Sequence, residues 1–168
     1  MKTLARLLAL SGAAMCLGTG LGLADNPHCR QVGGGVLANF LPPADQACAA
    51  SFQNLCTDGT ATGDLKGSVG VSILGISGNV YHVHHHWVTE SGDTIFLNDA
   101  YLTTYPSSDP NNRVLGDYLK GVEIIGGTGA FAGATGKISS GFGGIDLNLG
   151  QITLRYAGTI CFAAGKDQ

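Results

Sequence analysis

The sequence predicts an all-β fold of about eight antiparallel strands, built as a sandwich or a barrel. Three observations carry this. No long stretch shows helical periodicity, and the chain after Asp58 falls into short alternating runs separated by turn residues. Those runs recur at regular spacing with short connections, the pattern of sandwiches and barrels. Glycine concentrates where two runs meet, with five glycines between positions 126 and 136. Glycine is favoured where backbone takes positive φ or passes close to other backbone, so this stretch describes a tight crossing between strands.

Lys2 and Arg6, the apolar and small stretch Leu7–Leu23 and the small-x-small site Gly22-Leu23-Ala24 read as a secretory signal over residues 1–24. The mature chain then starts at Asp25. Residues 25–58 are expected to hold a first strand near Val36–Phe40 and a disulfide-tied segment with a short helix or loop from Gln46 to Leu55. Residues 59–168 form the β body, in one domain with 25–58. Strands are expected at Thr60–Leu65, Ser68–Ile76 and Val80–Glu90, with a turn at Ser77-Gly78-Asn79. Glu90-Ser91-Gly92-Asp93 is a hairpin loop leading to a strand over Thr94–Tyr105. Pro106–Asn112 is an exposed loop. Leu115–Ile125 runs into the glycine corner. Lys137–Leu147 and Gln151–Phe162 form a last pair joined at Asn148-Leu149-Gly150.

After signal removal the chain carries seven Lys or Arg and twelve Asp or Glu, a formal net charge of −5. That argues against nucleic acid and anionic membranes as partners, since both select basic patches. Only 19 of the 144 mature residues are charged, which leaves neutral and apolar surface suited to subunit contacts. Cys29, Cys48, Cys56 and Cys161 remain, an even set that reads as two disulfides in a secreted or periplasmic protein. Three connectivities are open. We favour Cys48–Cys56, which closes a short loop, with Cys29–Cys161 tying the ends together. No cysteine lies in a CxxC pair, so redox catalysis and zinc ribbons are not indicated.

The glycine corner Ile124–Gly136 has neither the Lys-Ser/Thr of a Walker loop nor a G-x-G-x-x-G opening a helix. Its Gly126-Gly127-Thr128-Gly129-Ala130-Phe131 and following Ala134 and Gly136 resemble the GGTG-x-F-x-x-A-x-G corner of the allene oxide cyclase and dirigent families. The resemblance covers roughly Thr60–Phe162. It implies an eight-stranded antiparallel β-barrel with an apolar lumen, often in a homo-oligomer such as a trimer. It also implies a small, mostly apolar ligand and, for an enzyme, cofactor-free cyclisation or isomerisation. The overall pattern looks like that of small exported bacterial proteins with a cyclase-like barrel. No local motif places the plant enzymes' catalytic residues on this chain.

Tyr81-His82-Val83-His84-His85-His86-Trp87 holds four of the five histidines. On a strand, His82, His84 and His86 share one face, and His85 shares the other with Tyr81, Val83 and Trp87. Neighbours on one face lie ~6.5 to 7 Å apart, so two imidazoles can converge on one ion, whereas His82 and His86 at ~13 Å cannot. A metal site therefore needs one His-x-His pair and a third ligand from the next strand, with Asp99 and Asn98 as candidates. Zn²⁺ or Cu²⁺ would suit it. The other reading puts these histidines in a polar lumen, a subunit contact or an exposed strand, with no cofactor; a third function is that of a non-catalytic structural or surface protein whose packed barrel acts through oligomer contacts. The Tyr81/Val83/Trp87 face is the more apolar and favours the core, yet the His face is open as the lumen.

His82, His84, His86, Trp87, Tyr101 and Tyr156 are accordingly the candidate ligand-binding residues. Tyr105 and Phe142 are further aromatics for a pocket. Asp117 and Glu123 share a face of their strand, and a carboxylate turned into an apolar barrel would gain a raised pKa and acid–base capacity. Arg155 is a candidate partner for either acid. Solvent exposure of both acids is the alternative. The sequence contains no Gly-x-Ser-x-Gly, and no base stands beside Ser139-Ser140, which argues against triad hydrolysis.

Overall fold

The structure is a computed structural model and describes residues 28–42, 44–108 and 113–165; the expected signal segment, residues 1–24, lies outside them. Ten strands are present: β1 (His28–Phe40), β2 (Cys56–Ala61), β3 (Gly67–Ser77), β4 (Val80–Thr89), β5 (Thr94–Leu97), β6 (Ala100–Pro106), β7 (Arg113–Asp117), β8 (Val122–Gly127), β9 (Thr135–Asp146) and β10 (Gln151–Phe162). Eight close into an antiparallel barrel in the order β1-β2-β3-β4-β5-β8-β9-β10, with β10 returning to β1. The two further strands, β6 and β7, bridge β4 to β9 where β5 and β8 stop. Val83 pairs with Ala100 and Val80 with Thr103, while Leu115 pairs with Tyr105 and Gly144.

The barrel expected from the resemblance is present, and β3, β4, β9 and β10 stand where alternation puts them. Five local expectations need correction. The first strand, expected near Val36–Phe40, begins at His28, because β1 pairs along the whole of β10. The strand expected over Thr94–Tyr105 is divided at Asn98–Asp99, where the inward residues change parity from Ile95 and Leu97 to Ala100 and Leu102. The strand expected over Leu115–Ile125 is divided by a turn in which the Gly121 N–H donates to the Tyr118 carbonyl at 2.7 Å, with Gly121 at φ 66°. Inward parity survives that turn (Gly116, Tyr118, Val122, Ile124), so alternation alone shows no break. Gln46–Leu55 holds two single 3-10 turns rather than a helix, because Gln53 and Asn54 take positive φ of 53° and 55°. Leu65 ends a 3-10 turn, not a strand: β2 stops at Ala61 and Gly63–Leu65 folds inward.

That turn closes one end of the barrel. Leu65 is buried against Trp87, whose Nε1 donates to the Leu65 carbonyl at 2.8 Å. The Tyr156 hydroxyl accepts from the Leu65 N–H at 3.0 Å and donates to the Thr62 carbonyl at 2.8 Å. The Trp87 and Tyr156 rings meet edge to face at 5.3 Å. The glycine corner serves the same end. A methyl on Gly127 would land on the Thr94 carbonyl and on Phe131, so only glycine lets β8 turn there and insert Phe131 beside Phe162.

Both favoured disulfides are present. Cys29 and Cys161 are directly opposed in the β1–β10 ladder with Cα atoms 3.8 Å apart. Cys48–Cys56 fastens the 3-10 segment to β2. Disulfides persist in non-reducing surroundings, which is where this fold belongs. No helix among the described residues is long and apolar enough to cross a membrane.

Candidate functional site

The half of the barrel opposite the plug is not filled. A cavity of about 110 Å³ lies there, with a wall that includes Val36, Ala38, Ile73, Val83, Leu102 and Ile152. These are inward residues of β1, β3, β4, β6 and β10, so the cavity is a product of ring closure. Its lining is predominantly aliphatic, with Thr57, Tyr81, Thr104 and Tyr118 as the polar members. The Thr57 Oγ1 is buried without a partner, and the Thr104 hydroxyl donates to the Asn79 carbonyl at 3.2 Å.

On β4 the inward residues are Tyr81, Val83, His85 and Trp87, and the more apolar face is the one inside. His85 sits between cavity-lining Val83 and the Trp87 plug, with 9% of its surface exposed. Its Nε2 lies 2.9 Å from the Tyr118 hydroxyl, and its Nδ1 has no partner. Burial, followed by the neighbouring His84 and His86, lowers the His85 pKa from 6.5 to about 4, with Asp99 opposing weakly. Burial raises the Tyr118 pKa. Both groups are therefore neutral at pH 7, a hydrogen-bonding pair rather than an ion pair. Tyr118 is held by its N–H donating to the Gly141 carbonyl at 2.9 Å and by its ring, which lies where a Cβ on Gly141 would stand.

His82, His84 and His86 face outward, so they line no lumen. They form a second polar group on the barrel wall. Asp99, placed by the break between β5 and β6, receives two of them. His84 Nδ1 is 2.7 Å from Asp99 Oδ1 and His82 Nε2 is 3.4 Å from Asp99 Oδ2. His86 turns away: its Nε2 is 3.2 Å from the Ser72 hydroxyl, and partial burial followed by His84 lowers its pKa. Tyr101 stacks on His82 at 4.9 Å, outside the barrel. A groove of about 640 Å³ runs beside them, with His84, Asn98, Asp99, Glu123 and Lys137 on its sides. Among the described residues no three His, Cys, Asp or Glu side chains stand in a metal-holding arrangement. Here the Asp99 carboxylate is the hydrogen-bond acceptor of His84, with His82 at ion-pair distance.

The remaining candidates are dispersed. Trp87 and Tyr156 are inward, as a ligand pocket requires, but they belong to the plug and do not border the cavity. Glu123 is exposed and accepts from Asn98 Nδ2 at 3.2 Å. Asp117 is half-buried on the outer wall, opposite Thr103 and Phe142. Arg155 is exposed, and no ion pair joins it to either acid among the described residues. Tyr105 and Phe142 also face outward. Sequence reasoning does not reach Tyr118, which lies in a turn that alternation reads as strand. For His85 a signal exists: it is the one histidine on the apolar face, and a buried imidazole needs a partner.

Comparison with family models, with curated proteins and with solved structures found no match to this chain.

Proposed function

We propose that this barrel holds a small, mostly apolar molecule in the unfilled half of its lumen. The observation that carries the reading is the aliphatic cavity of about 110 Å³ beside a solidly packed plug. An engineered apolar cavity of ~150 Å³ stays dry and takes up benzene, so the occupant here is of single-ring size or smaller. The first test is binding of methylcyclohexane to the disulfide-bonded protein and to an Ala38→Leu variant. Ala38 is buried on the cavity wall. Leucine there fills void, so stability should stay within about 1 kcal/mol of wild type while binding is lost. Unchanged binding in the variant, or none in the wild type, would refute the lumen as the site.

The pattern in residues 1–24 and the two disulfides support export, secreted or periplasmic. Exposed Phe96, Leu119, Ile125 and Phe142 on the outer wall support a homo-oligomer, with a trimer as the form implied by the cyclase and dirigent resemblance. Sedimentation at micromolar concentration reads this directly. The same resemblance supports a cofactor-free cyclase or isomerase-like activity as an extension of ligand holding.

A second reading is Zn²⁺ or Cu²⁺ binding at the outer wall, favoured by the convergence of His82 and His84 on Asp99. It predicts about one equivalent of Zn²⁺ or Cu²⁺ bound by protein free of affinity-tag histidines. Binding should be lost in His84→Ala. Absence of tight binding to the wild type sinks this reading and leaves the lumen reading untouched.

A further inference from the structure

We infer that the lumen's occupant carries a hydrogen-bond acceptor, a carbonyl or ether oxygen, and that the Tyr118 hydroxyl donates to it. This rests on the lumen being a ligand site and names the class of ligand. The inference follows from what His85 can do with one partner. A neutral imidazole has one N–H and one lone pair. With the proton on Nδ1, a buried N–H is left with no acceptor, because Nδ1 has no partner, and the Tyr118 hydrogen is spent on Nε2. With the proton on Nε2, that N–H donates to the Tyr118 oxygen, and the donor left over is the Tyr118 hydroxyl hydrogen. Each tautomer leaves one donor without a partner in the protein, but Tyr118 is part of the cavity wall and His85 is not, so an acceptor held in the cavity selects the second tautomer.

In that tautomer the Tyr118 hydrogen is free. Among the described residues the hydroxyl has no partner besides His85, and Tyr118 is part of the cavity wall. An unpaired O–H on a residue of an aliphatic cavity wall calls for an acceptor brought in by the occupant. The aliphatic wall calls for the rest of that occupant to be apolar. A cyclic ketone, an aldehyde or a cyclic ether of single-ring size meets both demands. His85 is then a positioning residue. It orients the hydroxyl through its oxygen and, by polarising it, makes it a better donor. Gly141 supports the same geometry by leaving room for the Tyr118 ring.

Cyclohexanone and methylcyclohexane are single-ring probes with the same number of non-hydrogen atoms that differ in the acceptor. Tyr118→Phe should weaken cyclohexanone about 5- to 10-fold, the loss of one net hydrogen bond, and leave methylcyclohexane within about twofold. In the wild type, the carbonyl stretch of bound cyclohexanone should lie below its value in an alkane solvent, and His85→Leu should move it back toward that value. This infrared readout needs no Tyr118 variant to fold. An unshifted stretch in the wild type, or equal weakening of both probes by a folded Tyr118→Phe protein, overturns the inference while the lumen reading stands. If neither probe binds the wild type, the lumen reading fails and takes this inference with it.

Discussion

Replacing Cys29 and Cys161 together by serine is expected to destabilise the barrel by about 5 kcal/mol, the chain-entropy value for a loop of this length. The two cysteines are 132 residues apart and directly opposed across β1 and β10. That ladder closes the ring, joining the first described strand to the last. The covalent tie removes expanded conformations from the unfolded chain, so its loss should show as a lower denaturant midpoint together with a larger m-value. Cys48–Cys56 spans only eight positions, and its removal should cost about half as much. Comparing the two double variants separates entropy from local packing. Equal losses would refute the loop-length account, and a loss below about 1 kcal/mol at Cys29–Cys161 would mean that β1–β10 pairing closes the ring unaided.

Acidification from pH 7 to pH 3.5 is expected to remove about 3 kcal/mol of stability through His85 alone. Its folded pKa of about 4 lies below the ordinary 6.5, so the unfolded chain binds the extra proton between those values. The contribution is complete above pH 6.5, falls as pH drops and is gone below about 4. His84, His86 and Asp99 from the outer wall and Tyr118 from the interior are the titratable groups acting on it. His85→Gln preserves a group able to bond the Tyr118 hydroxyl but cannot titrate. The variant should lose most of the slope between pH 4 and 6.5. His86, also lowered, leaves a small residual slope in the same window. Asp146 is held below its ordinary value by the Leu149 N–H and then by Arg113, so its contribution is lost only below pH 3.8. An unchanged slope in His85→Gln would mean that His85 does not carry the acid sensitivity.

A great deal of the architecture was legible in the order of residues. Alternation in Ser68–Ile76, Val80–Glu90, Lys137–Leu147 and Gln151–Phe162 locates β3, β4, β9 and β10, because a strand's period of two is a local property. Even cysteine number implies two disulfides among three connectivities, and the structure holds the favoured one. Hairpin connection brings the segment holding Asp99 alongside β4, but the register of β5 continued would set Asp99 opposite inward Val83, and only the break before β6 turns it to His82 and His84. The break after β5 was not legible, because the parity change from Ile95 and Leu97 to Ala100 and Leu102 is seen only once the inward positions are known.

What alternation cannot say is which of two faces is inside, because a face is chosen by everything it meets across the barrel. Tertiary closure turned Tyr81, Val83, His85 and Trp87 inward and left His82, His84 and His86 on the wall. It also divided the labour among inward aromatics. Trp87 and Tyr156 went to the plug because the Leu65 turn reaches their polar atoms, while Tyr118 came to His85 from 33 residues away. The cavity exists only as the space that packing across the barrel leaves unfilled, a difference between large volumes that no single segment encodes. The sequence by itself determined the all-β class, the long strands β3, β4, β9 and β10 with their faces as pairs of alternatives, the pool of four cysteines and the glycine corner. Only the folded ring decided which alternatives point inward and where the interior stays empty, because those are properties of many strands meeting at once.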